Sequence, residues 1–154
     1  MPSAEHKYTV DTNLFIEAFR NPGANRSLQQ FHRLFAPFEY LSEVVAQELR
    51  AGVRTPTDRR LLERHVLSPF QRTGRLLTPS GRAWEESGDV LADLRRTEGL
   101  ELGRLVKSFG NDLLLALSCR DEGVVLVTDN RQDFERIARH VSFKFVSPWP
   151  PPTP

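Results

Sequence analysis

Five acids stand where the residues around them call for something else. Asp11 closes the apolar run "YTV" and is followed at once by Thr12 and Asn13. Glu48 falls four and three positions after Val44 and Val45, so on a helix it shares their inward face. Asp112 stands directly before Leu113, Leu114, Leu115, Ala116 and Leu117. Asp129 and Asp133 lie within "VTDNRQDF", after an apolar run and before a helical one. Carboxylates normally stay in water, so acids set against apolar patterns are the informative ones. Each has an ordinary explanation when taken alone. Glu48 could pair with a core arginine, Asp112 and Asp133 could cap helices, and Asp129 could serve a turn. Together they imply more. Carboxylates brought within about 4 Å of each other repel by about 4 kcal/mol at an effective dielectric near 20. Such a group persists only if some acids keep protons or a cation binds among them. All-oxygen donors suit a hard ion, Mg²⁺ or Mn²⁺. The single cysteine, Cys119, and the histidines at 6, 32, 65 and 140 have no zinc-site spacing.

The elements that must position these acids read as strands alternating with helices. A first strand is expected at Lys7–Val10, followed by a helix over 13–19 that "NPG" breaks. A second helix is expected over 26–35, from the spacing of Leu28, Phe31, Leu34 and Phe35. A short strand over 38–41 leads to Ser42, a good cap for a helix that Gly52 ends. The stretches "TDRRLLERHVLSPF" and "RAWEESGDVLADLRR" look helical, with "PSGR" between them. Residues 112–120 form a helix apolar enough to be buried. Val124–Val127 is a clear strand. A further helix is expected to begin at 131–133 and reach 139, with a last short strand over 143–146. The tail "PWPPPTP" is expected to be a loose end. Alternation of this kind implies an α/β fold with a mainly parallel sheet, whose sites form beyond the carboxyl ends of the strands. Asp11 and Asp129 both sit at such ends.

The chain has 154 residues, 39% hydrophobic and 27% charged, as expected of one globular domain with a real core. No apolar run approaches the roughly 18 residues of a membrane span. "MPSAEHK" has no apolar leader region, and one cysteine allows no disulfide framework, so a cytoplasmic protein is expected. The net charge is +1, but eight arginines and only two acids lie between Arg50 and Arg82. Those arginines are either a solvated surface or a phosphate-contacting arm.

The blocks "TVDTNLFIEAF", "YLSEVVAQELRAG", "FGNDLLLALSCRDEG" and "VLVTDNRQDFERIARH" resemble, in order, the four motif blocks of PIN-domain nucleases. In particular they resemble the VapC-type toxins of bacterial toxin–antitoxin pairs. The blocks cover well under half the chain, but their order holds across nearly its whole length. The resemblance implies one domain over residues 1–147, with a Pro-rich tail at 148–154. It implies a three-layer α/β/α sandwich around a mainly parallel sheet. It also implies a metal-dependent endoribonuclease. Asp11, Glu48, Asp112 and Asp133 would hold Mg²⁺ or Mn²⁺, with Asp129 the alternative fourth acid. Glu48 matches the glutamate of the family's E-L-x-x-G helix. Asn13 and Thr128 would support the carboxylates, and Arg54, Arg104 and Lys107 would contact RNA phosphates. Thr12 stays unassigned, since a turn explains it as well as chemistry does.

The family's usual partners are an RNA substrate, a small antitoxin and a second copy of the chain, with no membrane. "RSLQQFHRLF" and the helix near Trp84 either offer apolar surface to a partner helix or pack on the sheet. Two other readings keep the fold, an RNA-processing nuclease without an antitoxin and a non-catalytic RNA-binding module. A haloacid-dehalogenase-like phosphatase needs a second acid where this chain has Asn13. A receiver domain needs a lysine where it has Asp129.

Overall fold

The computed structural model describes residues 6–99 and 107–152. Strand β1 (Lys7–Val10) lies at the centre of a five-stranded sheet. Its neighbours are β2 (Glu39–Ser42) and β4 (Val124–Val127), with β3 (Leu76–Leu77) and β5 (Phe145–Val146) at the edges. Every pairing is parallel, and the order is β3-β2-β1-β4-β5. Tyr8, Thr9, Val10 and all four residues of β4 are buried. Side chains alternate between faces along a strand, so both faces of the sheet are covered. The expected parallel α/β architecture is therefore present, with layers on both sides.

The helices follow the chain's own punctuation. Asp11 caps α1 (Thr12–Arg20), and Asn21 caps α2 (Pro22–Phe35) with Pro22 in the first turn. The expected breaker "NPG" thus starts a helix, because proline at its first position lacks only an N–H that would have no partner there. Ser42 Oγ accepts from the Val44 N–H at 3.1 Å and starts α3 (Glu43–Gly52) as expected. Next come α4 (Pro56–Leu62), a π-type turn (Glu63–Leu67) and α5 (Ser68–Thr73). Ser80 caps α6 (Gly81–Glu98). Helix α7 (Lys107–Glu122) packs against α6, α8 (Arg131–Ala138) and β4. Residues Leu113 to Cys119 of α7 are all buried, as its unbroken apolar sequence requires. Gly123, at φ +65°, makes the left-handed turn that sends the chain from α7 straight into β4.

The structure adds one strand, settles one open alternative and changes one expectation. The two-residue strand β3 was not foreseen. Leu28, Phe31 and Phe35 of α2 are buried in the core, so that stripe packs inward rather than offering partner surface. The Pro-rich tail is not loose throughout, because the Trp149 ring packs 5.2 Å from that of Phe31. Among the described residues, no helix is long and apolar enough to cross a membrane.

Candidate active site at the carboxyl edge of the sheet

Asp11 follows the last residue of β1, and its N–H extends the ladder to the Val127 carbonyl at 3.0 Å. The strand thereby delivers the acid to the carboxyl edge, 2% exposed. Both carboxylate oxygens are held by neutral donors. Oδ1 accepts from the Thr12 N–H at 2.8 Å, and Oδ2 accepts from the Thr128 hydroxyl at 2.7 Å. Thr128, one residue past β4, in turn accepts from the Asn130 N–H at 3.0 Å. Burial is the main cause that pushes Asp11 up to about 6. The two threonine hydrogen bonds oppose the shift, while Glu48 and Asp129 add to it.

Asp112 lies in the second turn of α7 rather than at its start, so helix capping does not explain it. It is 8% exposed. Burial, then the charges of Asp11, Glu48 and Asp133, push it up to about 8. At neutral pH and without a cation this carboxyl keeps its proton. Asp11, Glu48 and Asp133 thus all lie within electrostatic reach of Asp112. Glu48 is half-buried on α3, and its Oε1 accepts from the Thr12 hydroxyl at 2.7 Å. Asp133 is half-buried in the first turn of α8, where Asn130 holds the N-cap position. Asp133 is thus not the cap, and its Oδ2 accepts from the Asn130 side-chain amide at 3.2 Å. Asp129 is exposed and acts on Asp11 only through charge.

Of the expected supports, Thr128 touches Asp11 directly. Asn13 is exposed and makes no side-chain hydrogen bond among the described residues. Its place is taken by Thr12, which sequence reasoning left unassigned. Arg54 is exposed on the wall of a cleft of about 640 Å³ that Glu48 also lines. Ile16, Phe19 and Leu61 give this cleft its apolar surface, and Phe19 is 56% exposed. The sequence left open whether α2 offers such a surface or packs on the sheet, and it packs inward. Arg104 and the side chain of Lys107 lie outside the described residues.

The donor chemistry fits a hard divalent cation, because every group in the cluster is a carboxylate or a hydroxyl. Among the described residues, no three Asp, Glu, His or Cys side chains converge on one point. Carboxylates without a counter-charge repel, and these are restrained by threonines and an asparagine rather than drawn together. The residues therefore match such an ion in donor type, and among the described residues no basic side chain pairs with these acids.

The architecture has solved counterparts. A DNA-bound VapBC complex from Salmonella typhimurium superposes with a TM-score of 0.68 at 22% identity, covering 92% of this chain and 98% of that one. The FitAcB structure from Neisseria gonorrhoeae gives 0.64 at 20% identity, covering 92% and 98%. The fold is that of the PIN domain. A toxin–antitoxin complex from Klebsiella pneumoniae shares it, with a TM-score of 0.61 at 21% identity over 93% and 98% of the two chains. No family model and no curated protein matches this sequence. What these solved counterparts share with this chain is the fold.

Proposed function

We propose that this PIN-fold protein is a metal-dependent endoribonuclease and the toxin of a toxin–antitoxin pair. The observation that carries the proposal is the pair of buried acids Asp11 and Asp112 at the carboxyl edge, with half-buried Glu48 and Asp133 beside them. The likeness to proteins solved as toxin–antitoxin complexes supports the toxin reading. Asp11, Glu48, Asp112 and Asp133 would hold the cation, Asp11 and Asp112 being the more buried of the four. Asp129 is left as an outer charge, because it is exposed. A bound Mg²⁺ or Mn²⁺ lowers the pKa of a coordinated water and offsets charge on the attacked phosphate. Asp112 would hold the cation as a carboxylate, and Thr12 and Thr128 keep Asp11 oriented. Glu48, half-open to the cleft, is placed to accept a proton from water. Arg54 holds an RNA phosphate on the cleft wall as a positioning contact. The apolar cleft beside Glu48 is where an antitoxin segment would lie.

The test is expression of the chain and of Asp11→Asn in a bacterial host lacking a partner gene. The expected result is growth arrest by the wild type alone, with new RNA ends mapped to discrete positions. Arrest by both proteins, or no new RNA ends, would overturn the reading. If new ends appear but co-expression of a short neighbouring gene gives no rescue, an RNA-processing nuclease without an antitoxin is favoured.

A further inference from the structure

Thr12 is the residue in the cluster that touches two of its acids. Its N–H donates to Asp11 Oδ1 at 2.8 Å, and its hydroxyl donates to Glu48 Oε1 at 2.7 Å. The side chain is buried, at the first position of α1. An N-cap acid ordinarily accepts from the second or third N–H of its helix. Asp11 instead accepts from the very next one, which turns its carboxylate toward the strand ends. The Thr12 hydroxyl likewise bypasses its own helix and reaches α3, 36 positions away. A continuous line of donors follows. The Asn130 N–H binds the Thr128 hydroxyl, which binds Asp11, and Thr12 then joins Asp11 to Glu48. Thr128 fastens one acid, whereas Thr12 sets the spacing between two carried on different elements.

We infer that Thr12 is a positioning residue that holds Glu48 in register with Asp11, so that both carboxylates present an oxygen to one divalent cation. This inference rests on the nuclease reading of the same site. Each acid keeps lone pairs free after accepting from Thr12, since a carboxylate oxygen has two. The hydroxyl therefore orients the ligands without using them up. Losing it releases Glu48 into the cleft that it lines, away from Asp11. Valine is the informative replacement, because it keeps the β-branch and volume of threonine and removes only the hydroxyl. Serine keeps the hydroxyl and loses a methyl group.

The test measures Mn²⁺ affinity by calorimetry for wild type, Thr12→Val, Thr12→Ser, Glu48→Ala and the Thr12→Val/Glu48→Ala double variant. RNA cleavage and thermal midpoints are read on the same samples. Thr12→Val should weaken Mn²⁺ binding about tenfold, in the range known for groups that orient metal ligands, and Thr12→Ser should restore most of it. In the Glu48→Ala background, Thr12→Val should change Mn²⁺ affinity little, since Thr12 acts through Glu48. Wild-type affinity in Thr12→Val, or equal losses in both backgrounds, would overturn the inference, as would a lowered midpoint with unchanged Mn²⁺ affinity. If the wild type itself neither binds Mn²⁺ nor cuts RNA, the nuclease reading falls and this inference falls with it. If the wild type does both and only the Thr12 pattern fails, the nuclease reading stands and the positioning role is wrong.

Discussion

Glu39 and Asp11 are both 2% exposed and both belong to inner strands, yet their surroundings differ. Glu39 opens β2 at the amino edge of the sheet. Its Oε2 lies 2.6 Å from His32 Nδ1, and the Arg75 guanidinium donates to the Glu39 carbonyl at 2.6 Å and to the Ala36 carbonyl. Asp11 follows β1 at the opposite edge, and among the described residues its carboxylate receives only neutral donors. The same contrast runs through the surface acids. Glu63, Glu86 and Glu98 each have an arginine hydrogen bond that holds them below the usual carboxylate range. Asp11 and Asp112 are pushed the other way, Asp11 by burial with the charges of Glu48 and Asp129 adding to it, and Asp112 by burial and then the charges of Asp11, Glu48 and Asp133. Arginines answer Glu63, Glu86 and Glu98. The His32 ring answers one oxygen of Glu39, whose other oxygen is buried without a partner among the described residues. The carboxyl edge instead gathers acids and gives them hydroxyls. Among the described residues no basic side chain pairs with Asp11, Glu48, Asp112 or Asp133, and a structural role does not explain that.

The contrast gives predictions of decreasing size. Asp11→Asn should lower Mn²⁺-dependent RNA cleavage by more than about a thousandfold, the scale of losing several kcal/mol of transition-state stabilisation, as a timed cleavage assay would read. The same variant should melt no lower than wild type at pH 8, because it removes a buried charge.

The second prediction concerns pH. The folded-state values of Asp11 and Asp112, about 6 and about 8, lie above the ordinary 3.8. The folded chain thus binds more protons than the unfolded one between pH 4 and 8. Stability from these acids is complete below about pH 4 and is lost as pH rises toward 8. Urea unfolding of the metal-free protein should show a fall on the order of a few kcal/mol over that range. Asp112→Asn should flatten it, and added Mn²⁺ should raise stability most at the alkaline end.

Next in size is the opposite corner. Glu39→Ala should lower unfolding free energy by about 1–3 kcal/mol, because it leaves the His32 ring without its acceptor. Cleavage per folded molecule should stay at the wild-type value. If Glu39→Ala impaired cleavage as much as Asp11→Asn, the division between the two edges would be wrong. The smallest effect is expected at the cleft wall. Arg54→Ala should raise KM a few-fold, leave kcat unchanged and reduce the slope of log affinity against log salt by about 1.

Much of this contrast can be read in the sequence, and the unread part has physical reasons. Strands β1 and β4 are short apolar runs bounded by polar residues, so their ends, and with them Asp11 and Thr128, could be placed. Ser42 and the helix carrying Glu48 followed from capping and spacing. Asp112 was harder, because Gly110 and Asn111 precede it and are weak helix formers, which made a helix start look natural. Packing against α6, α8 and β4 carries α7 through them. Strand β3 has only two residues, too few for any period. Thr12 was illegible for another reason. Its hydroxyl partner is 36 positions away, and only the sheet brings α3 beside α1. Asn13, the neighbour that the motif favoured, points to solvent because one step along a helix turns a side chain by about 100°.

The central claim is that the carboxyl edge binds a divalent cation in order to cut RNA. It is tested most directly by incubating one RNA with purified wild type and Asp11→Asn, each with Mn²⁺ and each with excess chelator. Discrete cleavage by the wild type with Mn²⁺, absent from the other three samples, is the predicted result. Equal cleavage by Asp11→Asn, or cleavage by the wild type that chelator leaves untouched, would contradict it.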